Sequence, residues 1–315
     1  MKKVLFATTA LVASASMASM ASAEVKLTGY AEIGVIGGSA METQFHDDMD
    51  VSFHLSGESD NGLSFGAKID LDEVSGGISN TSGPAVVWVK GAFGSITLGD
   101  TDGALDWAMQ DTGIGTSLTD DHTTHAGYGG NSEIDSLAAY DGQIMRYDNT
   151  FGDFAVALSV MLDDTGVLNP AWGIGAKYNA SLGGVDLGLG VAYQDYDTDS
   201  AWGVSVDAKM AGGFRAILNY SDLGDTDGGG VGETHSAIGL GYTMNALTVS
   251  ANYGQYDEGS NSQDGYGFAV NYDLGGGAVV MAGYGKSECG AAPVYASCVA
   301  NTSPDTWSLG LGLSF

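Results

Sequence analysis

The sequence predicts an all-β chain: a closed antiparallel transmembrane β-barrel of about sixteen strands. Three observations predict it. Apolar residues alternate with small or polar ones over stretches of about ten residues, the period that places side chains on opposite faces of a strand. Glycine-rich tight-turn signals recur at positions 62, 94, 152, 183, 212, 245 and 276, with gaps of 32, 58, 31, 29, 33 and 31. Glycine makes up 50 of the 315 residues and proline only 4, which suits hairpin turns and excludes collagen.

The first segment is an address. Lys2 and Lys3 precede an apolar run from Val4 to Val12, and Ala21-Ser22-Ala23 fits a small-residue cleavage site. Residues 1–23 therefore read as a signal peptide that is removed, and residues 24–315 as one barrel domain. The apolar run is too short and too rich in alanine and serine to span a bilayer as a helix. Removing Lys2 and Lys3 leaves eight bases against 39 acids. Such a balance repels phosphate, so no nucleic acid is expected as a partner. With 44% hydrophobic and 10% aromatic residues the chain is no disordered acidic tail.

The strands follow in order. Leu63, Phe65, Ala67, Ile69 and Leu71 alternate with Ser64, Gly66, Lys68, Asp70 and Asp72. Val185, Leu187, Leu189, Val191 and Tyr193 alternate with Asp186, Gly188, Gly190, Ala192 and Gln194. Trp202 to Met210 and Trp307 to Phe315 repeat the pattern. Five of the six gaps between turns hold one hairpin each, two strands of roughly ten residues and one longer polar loop. Longer loops are expected around Asp197–Asp199, Asp222–Glu233, Asp257–Asp264 and Lys286–Asp305. Seven short turns imply about eight hairpins, an even strand number of the bacterial outer-membrane kind.

A soluble sandwich also alternates, but it rarely runs to sixteen strands of this length. A calcium-binding β-helix needs a Gly/Asp repeat, and Gly224–Gly230 resembles a single copy. Trp172, Tyr193, Trp202, Tyr220, Tyr242, Tyr253 and Tyr272 lie towards strand ends, where interfacial girdles sit. The inner parity is too poor in large apolar groups to fill a dry core. Closure leaves no sheet edge in lipid, and sixteen strands enclose water.

The oversized gap follows the strand Ser95–Asp100 and runs from about Thr101 to Gln143. It carries Asp102, Asp106, Asp111, Asp120, Asp121, Glu133 and Asp135 and no Lys or Arg. Folded into the lumen, it would narrow the pore and line it with carboxylates that favour cations; lying outside, its acids would merely be solvated. Strand parity turns Lys26, His54, Lys68, Arg146, Lys177, Lys209 and Arg215 inward. Eight bases cannot build a strongly positive wall, so a cation preference is predicted. Cys289 and Cys298 sit in one exported segment and read as a disulfide closing a small loop, with two free thiols as the competing reading.

The start Glu24-Val25-Lys26-Leu27-Thr28-Gly29, the blocks from Leu55 to Gly66 and from Gly91 to Asp100, and Tyr272-Asp273-Leu274-Gly275-Gly276-Gly277-Ala278 resemble the general porins of Gram-negative bacteria, the alphaproteobacterial, Rhodobacter-type group above all. The resemblance implies an outer-membrane homotrimer, passive diffusion of small polar solutes, and a third loop that folds inward as an eyelet over residues 101–141. Arg146-Tyr147-Asp148 resembles the family's strand after that loop, whose arginine lines the constriction. The terminal Phe315 resembles the family's signal to the barrel-insertion machinery. Few arginines face the loop here, a departure from many relatives.

Two other function classes compete. Asp120, Asp121, His122 and His125 could place a general base beside carboxylates, but no nucleophile motif accompanies them, and no enzyme is predicted. A substrate-specific uptake channel would want aromatics along the lumen, whereas here they fall on the lipid parity; an adhesive or structural barrel is the other alternative. No cofactor is predicted. Asp47, Asp48 and Asp50, the pair Asp163 and Asp164, and Asp222, Asp225 and Asp227 offer oxygens for loosely held Ca²⁺ or Mg²⁺, or bridges to lipopolysaccharide, and no metal ligand is named.

Overall fold

Period-two alternation becomes a cylinder because each of sixteen strands hydrogen-bonds to both neighbours and the last returns to the first. The computed structural model describes residues 23–74, 77–78, 85–128, 144–162, 169–196, 199–225, 232–291 and 298–315. The expected signal peptide lies outside them, apart from its last residue. The described residues form β1 (Glu24–Gly38), β2 (Met41–Glu58), β3 (Ser64–Val74), the two-residue β4 (Gly77–Ile78), β5 (Ala85–Gly91), β6 (Gly94–Gly99), β7 (Ile144–Phe151), β8 (Phe154–Met161), β9 (Ala171–Leu182), β10 (Val185–Tyr196), β11 (Asp199–Met210), β12 (Phe214–Gly224), β13 (Glu233–Met244), β14 (Leu247–Glu258), β15 (Asn261–Gly275), β16 (Ala278–Cys289) and β17 (Asp305–Ser314). β4 pairs only with the end of β3. The other sixteen strands pair antiparallel around a ring, which β1 closes by pairing with both β2 and β17.

The closing register runs from Tyr30 opposite Ser314 to Gly38 opposite Thr306. Phe315 continues it: its N–H donates to the Gly29 carbonyl at 2.8 Å, and Gly29 N–H returns a bond of 3.3 Å. All seven turn positions read from the sequence carry positive φ, from 53° at Asn245 to 108° at Gly94. At Gly94 an added Cβ would also meet the Asp148 carbonyl oxygen at 2.5 Å, so this turn accepts glycine for two reasons.

The outer face is apolar and exposed: Val156, Leu158, Ile174, Val191, Val204, Leu218, Leu240, Phe268 and Leu309 all stand on it. Aromatic pairs band this face near both ends of the strands. Trp172 packs on Tyr193 and Trp202 on Tyr220, each with ring centroids 5.6 Å apart. Towards the short turns Phe154 packs on Tyr178 at 4.7 Å and Phe214 on Tyr242 at 4.5 Å. These are the girdles that the polar heads of a bilayer select.

Two expectations need correction. The long loop expected over Asp257–Asp264 is a tight turn between Glu258 and Asn261, because β14 and β15 pair out to Glu258 opposite Asn261. Strands expected at roughly ten residues reach 18 in β2, where pairing with β1 runs from Ser56 opposite Glu24 to Met41 opposite Gly38.

Candidate functional site

The chain leaves β6 and does not turn straight into β7. Residues 101–128 lie inside the barrel, along the inner wall from β8 round to β1 and partly back. At the root, Arg146 Nη1 on β7 donates to the Asp102 carbonyl oxygen at 2.6 Å and stands 3.8 Å from its carboxylate, while its Nε is 3.4 Å from the Asp148 carboxylate. The short helix α1 (Ala104–Ala108) follows. Ala104 N–H donates to Ser159 Oγ at 2.9 Å. Leu105, Ala108 and Met109 pack against Ile144, Met161, Ala171 and Ala192, the main buried apolar cluster among the described residues. Trp107 lies at its edge with the Lys177 ammonium 4.1 Å from the ring centroid.

Beyond the helix the loop runs extended, and polar wall side chains satisfy its backbone, as buried peptide groups require. Gln110 N–H donates to Ser205 Oγ at 2.9 Å and its carbonyl accepts from Asn219 Nδ2 at 3.0 Å. Ser250 Oγ donates to the Ile114 carbonyl. Thr116 is held on both sides by Asn271, at 3.0 Å and 2.7 Å. Leu118 sits in a notch between Gly34 and Gly310, where added Cβ atoms would stand 2.3 Å and 2.7 Å from its Cδ1. Thr119 and Asp120, both left-handed with φ 54° and 53°, then reverse the chain.

The return limb climbs β17 to β13. His122 Nδ1 hydrogen-bonds Ser117 Oγ at 2.9 Å. Asn252 accepts from His125 Nε2 at 2.5 Å and donates to the His122 carbonyl at 2.7 Å. Ala126 N–H donates to Ser287 Oγ at 3.0 Å, and its carbonyl accepts from Gln263 Nε2 at 2.8 Å. His235 Nε2 donates to the Gly127 carbonyl at 3.0 Å. Burial pushes the imidazoles of His122 and His125 down, His125 to about 4.

The expected acids divide. Asp102, Asp111 and Asp120 are exposed to the lumen, and Asp106 is half-buried on α1. Desolvation by the surrounding wall, joined by repulsion from Glu32 and Asp121, lifts the Asp120 carboxyl above the usual range, with His122 opposing. Asp121 corrects the expectation: it is 3% exposed, its Oδ1 accepts from Thr119 Oγ1 at 3.2 Å, and it presents no carboxylate to the lumen. The chain reversal turns it to the wall, where its carbonyl lies over Gly285. Glu133 and Asp135 lie outside the described residues.

The expected bases all take inward register positions, but they do not form one wall. Arg146 holds the loop root and Lys177 lies by Trp107. Lys209 and Arg215 share Asp207, at 3.7 Å and 2.9 Å. Across the lumen His54 hydrogen-bonds Thr28 at 3.1 Å and Lys68 pairs with Asp70 at 2.7 Å. Below α1 the lumen widens to a cavity of ≈ 580 Å³ lined by Lys177, Lys209, Asp186 and Asp207 among others.

Sequence reasoning missed Lys90, in register with Ser64 and Ser95. It also missed Glu32 and His46, which are paired at 2.9 Å. Their parity is readable, but their strands lack a clean alternation of apolar and polar residues. The serine, asparagine and glutamine clamps were equally readable as inward polar residues, but no pattern tied them to the loop.

The four-residue group Asp120, Asp121, His122 and His125 does not converge: each histidine is engaged by a different wall or loop partner, and both are sealed from the lumen. Asp47 takes the outward register position and Asp48 and Asp50 the inward one, so strand alternation separates that acidic group. No group of three metal-ligating side chains occurs among the described residues. Asp163, Asp164 and Asp227 lie outside them. Cys289 and Cys298 are joined by a disulfide, with Cα atoms 5.6 Å apart.

With this geometry in view, comparison with known proteins is informative. A family model described as Gram-negative porin matches residues 7–290. A porin of Rhodobacter capsulatus is 29% identical over 302 residues, covering 84% of this chain and 95% of that protein. A porin structure refined at 1.8 Å superposes with a TM-score of 0.71 at 23% identity, covering 93% of this chain and all of that one. An anion-selective porin from Comamonas acidovorans superposes at 0.67 with 16% identity over 93% of this chain and all of that one. At such identities the solved structures speak to the fold alone.

Proposed function

This chain belongs to the Gram-negative porin family and is an outer-membrane channel protein, and we propose that its channel passes small hydrophilic solutes passively and prefers cations. One observation carries the preference: Asp102, Asp106, Asp111 and Asp120 ride on a loop pinned along the lumen wall, while Lys68, Arg146, Lys209 and Arg215 each stand within 4 Å of a wall carboxylate. Carboxylates fixed at a narrowing attract cations and repel anions through a low-dielectric wall. Asp70 matches Lys68, and Asp207 offsets one of the two charges of Lys209 and Arg215, so the wall's positive field is reduced.

Assembly as a homotrimer and recognition of Phe315 by the insertion machinery belong to the same proposal and rest on the family resemblance. Liposome flux tests the diffusion reading. Vesicles carrying purified protein should swell in isotonic monosaccharide and, when loaded with KCl and diluted into low salt, develop an inside-negative diffusion potential. Swelling with one sugar alone would favour a substrate-specific channel, and no flux at all would contradict an open pore.

A further inference from the structure

Residues 301–304, just before β17, run beside the end of β16. Ser287 N–H donates to the Pro304 carbonyl, Cys289 N–H to the Thr302 carbonyl and Asn301 N–H to the Gly290 carbonyl, each at 2.9 Å. Cys289 ends β16 on the inner face, in register with Gln263 of β15. The disulfide brings Cys298 to the same place. Both cysteines are 8% exposed, and their buried apolar partner is Ala126 on the return limb of the lumen loop, itself 6% exposed.

We propose that the Cys289–Cys298 disulfide positions the constriction loop, acting as a strut between the mouth of the barrel and Ala126. Ala126 is boxed from three directions: Ser287 Oγ takes its N–H, Gln263 Nε2 takes its carbonyl, and the disulfide covers its methyl group. Gln263 and Ser287 flank Cys289, one on the paired strand and one two residues earlier on its own strand, so all three clamps share one corner of the barrel. The next residues have no slack. Gly127 carbonyl oxygen would lie 2.0 Å from a Cβ at Gly254, and His125 Nδ1 2.5 Å from one at Gly265. Freeing Cys298 from Cys289 removes the apolar cover from Ala126 and restores chain entropy to the last loop. The displacement then passes to the limb that continues from Asp120.

This inference rests on the channel reading, and the test separates the two. The full chain is reconstituted in a planar bilayer and one open channel is recorded before and after a membrane-impermeant phosphine is added on the loop side. The phosphine is oxidised to its oxide with an oxygen from water, and the S–S bond takes up two electrons and two protons to give two thiols. The expected result is loss of the single steady conductance level and a shift of the reversal potential towards zero. The Cys289→Ala/Cys298→Ala double variant should behave like the reduced channel while keeping the barrel's resistance to unfolding in cold detergent. Identical current, noise and selectivity before and after reduction would overturn the proposal. Hydrogen exchange at the Ala126 and Gly127 amides reads the same motion without current. Faster exchange on reduction supports the strut and unchanged exchange overturns it, even for a barrel that passes no ions.

Discussion

Gly239 of β13 lies directly beneath Thr112 of the lumen loop: a Cβ on the glycine would stand 2.0 Å from the Thr112 carbonyl oxygen. Gly175 meets the Ala104 carbonyl, Gly190 that of Ala108, Gly267 that of His122 and Gly285 that of Asp121 in the same way, at 2.2, 2.1, 1.8 and 2.0 Å. These inward glycines are a bed in which a second layer of backbone lies against the wall. The loop is therefore seated by the wall's shape as well as by its hydrogen bonds.

The Gly239→Val variant should keep its β-structure but lift the loop into the lumen. Overpacking of this kind costs about 1–3 kcal/mol, which the sixteen-strand ladder absorbs and the loop does not. Single-channel conductance should fall, with an unchanged circular dichroism spectrum. Full conductance in the variant would mean that the loop is not seated there.

Arg146 ties the loop root and places one positive charge beside Asp102. Arg146→Ala should raise the K⁺ over Cl⁻ preference and broaden the conductance distribution. Arg146→Lys should restore the selectivity but not the sharp distribution, because an ammonium cannot reproduce a guanidinium's several fixed donors. A sharp, wild-type distribution of conductance in either variant would remove the anchoring role.

Buried His125 is held neutral, its folded value pushed down to about 4 against an ordinary 6.5. The unfolded chain then binds the proton more readily than the folded one between those values. The contribution to stability is complete above about pH 6.5 and declines as the pH falls towards 4. His122 acts in the same direction. Asp120, raised, acts oppositely, since its protonated form is the one the fold favours. Thermal melts from pH 7 to pH 4 should show a loss that His125→Gln makes smaller. Equal slopes for wild type and variant would refute this.

Leu218 stands on the outer face of β12 and is 50% exposed. Arginine there should cost about 2–4 kcal/mol of folding into a bilayer if the residue lies near the midplane. Denaturant titration in lipid vesicles measures it, and a cost below 1 kcal/mol would place Leu218 near an interface.

The barrel was legible because its signals are local. Alternation from Val185 to Tyr193 fixes two faces, and positive φ at Gly62 or Gly183 follows from residue type. The paired cysteines were readable for the same reason. What resisted reading is non-local. Gly175, Gly190 and Gly239 look like any inward small residues until the loop is laid on them. Asp121 and Asp120 are identical neighbours in sequence, and only the left-handed turn at Thr119 and Asp120 sends one to the wall and leaves the other in water. His122 and His125 suggested chemistry as a pair, yet Ser117 and Asn252, one from the loop and one from β14, make them clamps.

The central claim is that loop carboxylates set the selectivity of the lumen. The most direct measurement is the reversal potential of single channels under a KCl gradient, for wild type and for a variant with Asp102, Asp106, Asp111 and Asp120 changed to Asn. The account predicts a potential of the K⁺-selective sign in wild type and a clear shift towards zero in the variant. A wild-type potential of the Cl⁻-selective sign, or one that the four substitutions leave unchanged, would contradict it.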